Sequence, residues 1–344
     1  MARFLALALL VVSCAEATAP TPDAEPPATP DAGAEAKPDS NPAPDLRPAS
    51  DLLADAGAGT DTEPARPDAG DAAPAACPET PLELSWLGDY QRDVVARLAG
   101  ADEIEPGVKL PNRGTPATRM IARRYLEASL RTMGLVPMNQ IYATGANVYA
   151  KLDSTTGVSE HVVLGAHFDT VVRSPGANDN ATGVAVVLAV GKALAQLPCR
   201  TRPLLLVFFD EEESGLVGAK QFARKLMMDG TAVHSVHTAD QLGWDRDGDR
   251  LIELERPDPG LRPLYEAAQR ALGLSFPIVS TTTGGSDHAA FRPAFRAVGI
   301  TEGYASGDTT PQRHTPGDTP ATIDGAYLGS ATRLVARTVA DLLR

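Results

Sequence analysis

Two apolar runs in this 344-residue chain end abruptly in groups that can hold a metal ion or move a proton. Leu204-Leu205-Leu206-Val207-Phe208-Phe209 runs straight into Asp210-Glu211-Glu212-Glu213 and then Ser214-Gly215-Leu216. An acidic helix start would account for one or two of these carboxylates through the helix dipole. Four together, at the end of a buried strand, raise one another's pKa unless metals or arginines stand nearby. A second run, His161 to Gly165, leads into Ala166-His167-Phe168-Asp169-Thr170. Alternation along a strand lets His167 and Asp169 share a side, and a carboxylate beside a histidine fixes the tautomer that binds metal. Taken alone, the pair reads equally as a solvated hydrogen-bonded couple. Between the two runs, Gly176-Ala177-Asn178-Asp179-Asn180-Ala181-Thr182-Gly183 is a small-residue turn that opens a helix and sets Asp179 in tight backbone surroundings. Its plainer reading is an Asx-type helix cap.

These groups need a framework that brings strand ends together. From Cys77 onward, helical periodicity alternates with short apolar runs, which is the pattern of an α/β domain. Asn147 to Ala150, His161 to Gly165 and Pro203 to Phe209 read as strands, the last two buried on both faces. Thr115 to Gly134, Ala181 to Leu197 and Gly215 to Met228 read as helices, the first with a purely structural role. The fold expected is α/β: a single domain with a mixed, largely parallel central sheet flanked by helices. In such sheets ligands sit at the carboxyl ends of the strands, where both candidate motifs fall.

The first quarter of the chain cannot build such a domain. Residues 1–13 have one cation at Arg3 and then an apolar run, the shape of a signal peptide, too short for the roughly 20 residues of a membrane span. The run ends in Val11-Val12-Ser13-Cys14, which resembles a lipoprotein cleavage box, with Cys14 as the lipidated residue; cleavage near Ala17 to Ala19 is the alternative. Residues 14–76 are Pro, Ala, Asp, Gly and Thr, too poor in large apolar side chains to offset ordering entropy, and read as a disordered tether. From Ala15 to Ala76 there are 13 acidic and three basic residues, so most of the net charge of −13 belongs to this segment. The acidity therefore says little about substrate. No basic patch interleaved with aromatics suggests nucleic acid. Cys77 and Cys199 remain as either a disulfide, which an exported protein would allow, or two free thiols.

The motifs together resemble those of the co-catalytic zinc aminopeptidases of clan MH. That family contains aminopeptidase S and bacterial leucyl aminopeptidases, with glutaminyl cyclases and glutamate carboxypeptidases as more distant relatives. The resemblance runs from about Tyr142 to the C-terminus and implies the zinc-dependent exopeptidase fold for 77–344. It implies two Zn2+ per chain held by His167, Asp179, Glu213, Asp240 and His314, with Asp179 bridging. Glu212, the first Glu of Glu-Glu-x-Gly-Leu, is then the general base, and Asp169 supports His167. Because Glu211 makes a third consecutive glutamate, the register rests on Gly215-Leu216. Asp240 lies in Thr238-Ala239-Asp240-Gln241-Leu242-Gly243 and His314 in Arg313-His314-Thr315-Pro316-Gly317-Asp318-Thr319. This chain departs from the family at Ala239 and Gln241, and at Arg313, where an aromatic is usual. A cis bond after the bridging Asp179 is also implied.

The activity implied is release of the N-terminal residue from peptides with a free N-terminus, by an exported enzyme expected to act as a monomer and to touch a membrane only through Cys14. Glutaminyl cyclase, carboxypeptidase or dipeptidase activity on the same fold, and a non-catalytic tethered binding protein, are the alternatives. A serine hydrolase lacks its Gly-x-Ser-x-Gly elbow here. Asp287 and His288, in Gly284-Gly285-Ser286-Asp287-His288, are candidate pocket residues or a helix cap. His161, His234 and His237 read as packing histidines. Asp245-Arg246-Asp247-Gly248-Asp249 fails the glycine spacing of a calcium loop and reads as a hairpin turn before Leu251.

Overall fold

Eight strands form one sheet: β1 (Met138–Ile141), β2 (Ala146–Leu152), β3 (His161–His167), β4 (Leu204–Phe209), β5 (Val233–Ala239), β6 (Ile252–Glu255), β7 (Ile278–Thr281) and β8 (Ala297–Thr301). Their order across the sheet is β1-β2-β4-β3-β5-β8-β6-β7. The structure, a computed structural model, describes residues 77–282 and 284–344. The leader, Cys14 and the acidic segment lie outside the described residues. Among those described, no helix is long and apolar enough to cross a membrane.

The four middle strands, β4, β3, β5 and β8, run parallel; β1 with β2, β2 with β4, and β6 with β8 pair antiparallel, and the edge strand β7 runs parallel to β6. The continuous apolar runs follow from cover on both faces. Val162, Leu164, Ala166, Leu204, Leu206 and Phe208 pack into one core, and Val163, Leu205, Val207 and Phe209 into the other. The larger core is closed by helices α1 (Leu87–Leu98), α2 (Pro116–Thr132), α3 (Gly183–Leu194), α5 (Arg262–Ala271) and α7 (Gly325–Leu342). The smaller one is closed by α4 (Val217–Met228) and the single turn α6 (His288–Phe291). From β3 the chain goes to β4 on one side and later to β5 on the other. That reversal opens a crevice above the end of β3, where His167 stands.

Local signals set the helix ends. The hydroxyl of Thr115 accepts from the Thr118 N–H, the hydroxyl of Thr118 accepts from the Thr115 N–H, and Pro116 occupies the first turn, a reciprocal cap. α3 begins at Gly183 rather than at Ala181, because residues Ala177–Thr182 form an irregular turn in which Asp179 and Asn180 leave helical dihedrals. The stretch before Leu251 is a loop, not a hairpin: β6 pairs with β7 and β8, and nothing precedes it in the ladder. Asp245 accepts there from the Gly248 and Arg250 N–H groups, and Asp308 from those of Arg246 and Asp247.

Cys77 and Cys199 form a disulfide across 122 residues of sequence, pinning the start of the domain to the loop after α3. Removing a link that closes so long a loop is expected to lower stability by about 2–4 kcal/mol. Urea unfolding of Cys77→Ser beside the oxidised wild type measures the loss; equal midpoints would contradict it.

Candidate metal centre

His167, the last residue of β3, directs its Nε2 at two carboxylates, 3.4 Å from Asp179 Oδ1 and 3.4 Å from Asp240 Oδ1. Asp240 follows directly on β5, and its other oxygen accepts from the hydroxyl of Ser286 at 2.7 Å. On the far side of Asp179, His314 Nε2 lies 3.1 Å from Asp179 Oδ2 and 3.0 Å from Glu213 Oε2. The side chains thus form two triads, His167-Asp179-Asp240 and Asp179-Glu213-His314, each with its ligand atoms within 4.8 Å of one another, and Asp179 belongs to both. Among the described residues, His167 Nε2, Asp240 Oδ1, Glu213 Oε1 and His314 Nε2 are buried with no hydrogen-bond partner. Buried polar atoms seldom go unpaired. Imidazole nitrogens and carboxylate oxygens converging on two common points are the donor set of a divalent zinc-type ion, so the residues fit the metal that the sequence implies.

The turn that carries Asp179 is held from three directions. The Asn178 and Asp179 N–H groups donate to Asp318, and the Asn180 side chain bridges Ala239, Gly183 and Gln241. The Asp179–Asn180 bond is cis, as the resemblance implies. Glu302, buried at the end of β8, accepts from Asn178, Thr309, Thr310 and Trp244. Gly176 enters the turn at φ +69°, a conformation glycine adopts without penalty.

Asp169 faces Nδ1 of His167 at 3.5 Å, long for a hydrogen bond. Its two oxygens accept instead from the N–H groups of Glu212 and Glu213, at 2.9 and 3.2 Å. The carboxylate therefore fixes the loop carrying both glutamates, and the Asp169 backbone carbonyl, 3.2 Å from Nδ1, orients the histidine. His314 takes a left-handed φ of 59°, uncommon for a non-glycine residue and a mark of a constrained site; Arg173 donates to its carbonyl.

The four consecutive acids divide into two pairs. Asp210 meets Arg119 and Arg123, each at 2.8 Å, and Glu211 meets Arg119 at 2.9 Å and the hydroxyl of Thr144 at 2.6 Å. Arginines therefore neutralise the first pair, and α2, read from sequence as purely structural, supplies them. Glu212 and Glu213 alone turn into the crevice. Burial, followed by Asp287, Asp240 and Glu213, pushes Glu212 up to about 9. Burial and Asp179 push Glu213 up to about 7, and burial pushes Asp287 up to about 8. For His167, burial works against protonation, yet Glu212 and Asp240 hold it well above its usual value. So many carboxylates straining to take up protons describe a site short of positive charge, which bound cations would supply.

His161, His234 and His237 lie away from the triads; His237 bonds Tyr265 and Ser235. Asp287 and His288 start α6, and neither Asp287 nor Ser286 caps it by side chain. Arg113 and Glu302 were not singled out in the sequence as parts of the site. Arg113, in the loop Pro111-Asn112-Arg113-Gly114, is fully buried and donates to the carbonyls of Phe168, Leu98, Pro175 and Gly176. It thereby ties the loop after His167 to the turn before Asp179. Arg113→Met would orphan these carbonyls and is expected to cost about 3–5 kcal/mol, read as a shift in denaturant midpoint. A change below about 1 kcal/mol would refute the clamp. For Glu302, a lone acid closing the apolar strand Ala297–Thr301 was the signal available.

A family model, Peptidase family M28, matches residues 147–339. Among curated relatives, the chain is 39% identical over 84 residues to the probable lipoprotein aminopeptidase LpqL of Mycobacterium tuberculosis, covering 24% of this chain and 16% of that one. It is 29% identical over 192 residues to aminopeptidase YwaD of Bacillus subtilis, covering 53% and 41%. The chain thus spans less than half the length of either relative. Its fold is similar to that of the LapA aminopeptidase of Legionella pneumophila (TM-score 0.67, 17% identity, covering 78% of each chain). It is similar also to glutaminyl cyclase of Porphyromonas gingivalis (TM-score 0.62, 20% identity, covering 74% and 98%). The family model takes in the strands and the loops that bear both triads, and it covers more than half of the sequence: the chain belongs to peptidase family M28.

Proposed function

We propose that the chain is a zinc-dependent aminopeptidase that hydrolyses the first peptide bond of substrates with a free N-terminus. The observation that carries this reading is the pair of triads sharing Asp179, with Glu212 beside them and tied to neither. His167, Asp179 and Asp240 would hold one zinc ion, and Asp179, Glu213 and His314 the other. When bound, the ions supply Lewis acidity toward the scissile carbonyl and the attacking water.

The rest of the work falls to the chain. Glu212 takes a proton from the water as its oxygen adds to the carbonyl carbon, and returns it to the amine nitrogen as the C–N bond breaks. Asp169 holds the Glu212 backbone in place for both transfers. Ser286 orients Asp240, and Asp318 fixes the turn that presents Asp179. Arg313 sets a positive charge 3.2 Å from Asp179 at the rim.

The neighbouring activity is glutaminyl cyclisation, which uses one zinc in the related enzymes the sequence resembles; the complete second triad favours hydrolysis. The two separate on a panel of leucyl-nitroanilide, its N-acetylated form and a peptide beginning with glutamine. Release from the free-amine substrate alone supports the aminopeptidase. Ammonia from the glutamine peptide without chain shortening would replace it with the cyclase.

The domain reading is part of the same proposal: residues 1–13 as an export signal, Cys14 as a lipid anchor, residues 14–76 as a tether and residues 77–344 as the catalytic domain, acting as a monomer at the cell envelope. The lipoprotein named among the relatives supports the anchor.

A further inference from the structure

The crevice holds a buried carboxylate that the hydrolytic scheme does not use. Glu255, the last residue of β6, lines the same cavity as Glu212, Asp240, Ser286, Tyr304 and Arg313. It is 6% exposed, and among the described residues no group donates a hydrogen bond to it. The nearest basic atom, His288 Nδ1, is 3.7 Å from its Oε2, beyond hydrogen-bond range. Burial, followed by Arg292, holds His288 down at about 4, so the imidazole is neutral and brings no charge. The packing around the carboxylate is close, since a Cβ at Gly299 would fall 2.7 Å from Glu255 Oε2. Arg313 lines the same cavity and draws Glu255 down through space, but its hydrogen bonds go to Asp179, from Nε at 3.2 Å, and to the hydroxyl of Tyr304, from Nη1 at 3.2 Å. A carboxyl removed from water takes up a proton unless a cation or several donors meet it; burial, followed by Asp240 and Glu253, pushes this one up to about 8, and it borders the cavity where a substrate's cation would lie.

We propose that Glu255 is a specificity residue, binding the cationic side chain of a lysine or arginine at the first position of the peptide; this rests on the aminopeptidase reading above. Reach separates that cation from the substrate's α-ammonium. In the sheet order β5-β8-β6, Glu255 stands two strand spacings from the strand bearing Asp240, about 10 Å across the sheet. The α-ammonium nitrogen is only about 2.5 Å from the scissile carbonyl carbon and stays beside the triads. A lysine side chain extends about 6 Å on its four-carbon stem, toward β6.

The test uses the zinc-loaded full chain with lysyl, arginyl, norleucyl and methionyl nitroanilides. The wild type is expected to favour lysyl over norleucyl by about 10-fold or more in kcat/KM, and Glu255→Gln to reduce that ratio by at least about 10-fold. Glu255→Asp, which keeps the charge, should retain part of the preference. No basic preference in the wild type overturns the proposal. So do equal losses on both substrates in Glu255→Gln, which would place the residue on the α-ammonium or in the fold. Thermal shifts with free L-lysine and L-norleucine read the same subsite without turnover. If no free-amine substrate is cleaved but L-lysine still stabilises the wild type over Glu255→Gln, the aminopeptidase reading fails and the subsite stands. If neither amino acid distinguishes the two proteins, the subsite fails.

Discussion

Glu212→Gln is expected to lower kcat by about 10²–10⁴-fold while bound zinc remains unchanged, because that is what a positioned general base contributes and glutamine cannot accept the proton of the attacking water. Glu212 makes no ion pair with the arginines that hold its neighbours, and it lines the cavity with Asp240. Glu211→Gln provides the contrast. Glu211 is held by Arg119 and by Thr144, with a left-handed φ of 61° that turns it away from the crevice. Its amide variant should keep kcat within a few-fold and lose stability instead, about 1–3 kcal/mol from a weakened buried ion pair. Parallel measurement of kcat, zinc content and denaturant midpoint on the two variants decides the register of the three glutamates. The reverse pattern would move the base to Glu211.

Zinc should change stability as much as activity. Without cations, Asp169, Asp179, Glu212, Glu213, Asp240 and Asp287 crowd around His167, and burial and mutual repulsion raise Glu212, Glu213 and Asp287. An ion that binds only the folded chain stabilises it by about 2.7 kcal/mol at 100 times its dissociation constant. For a domain of this size, that corresponds to a rise in thermal midpoint of roughly 5–10 °C. Asp179→Asn should abolish both the shift and the turnover, since Asp179 is the residue common to the triads. A chelated protein that melts at the same temperature as the zinc-loaded one would contradict a centre built from these residues.

The strands were legible because their burial on both faces writes an unbroken apolar run, as in Leu204 to Phe209. The helix from Thr115 was legible because Met120, Ile121, Tyr125, Leu126 and Leu130 recur at helical spacing and Gly134 ends the run; its Thr115–Thr118 cap emerged only in the structure. What escaped is polar and buried by tertiary packing. Arg113 sits in a Pro-Asn-Arg-Gly loop that reads as solvent-facing, yet four carbonyls from distant segments enclose it. Ile252-Glu253-Leu254-Glu255 alternates like a strand with one wet face, yet all four residues are buried, Ile252 and Leu254 in the larger core and the two acids under the segment at Ala305-Ser306 and under His288. Its two acids consequently find uses the pattern does not announce: Glu253 accepts from the Ala305 and Ser306 N–H groups, and Glu255 faces the cavity. The five candidate ligands were named through family resemblance, since residues spread from 167 to 314 carry no common spacing. Their division into two triads about Asp179 is a matter of geometry. The loops after Gly284 and Glu302 reach the cavity through Gly285, Ser286 and Tyr304, a placement the sequence alone does not give.

The central claim, two zinc ions working with Glu212, is tested most directly by zinc titration of the chelated full chain, with hydrolysis of a free-amine aminoacyl-nitroanilide followed at each step and bound metal counted by mass spectrometry. The account predicts that activity returns and reaches its plateau at two zinc ions per chain, with Glu212→Gln binding the same two and remaining inactive. A plateau at one zinc ion, or activity that survives complete chelation, would contradict it.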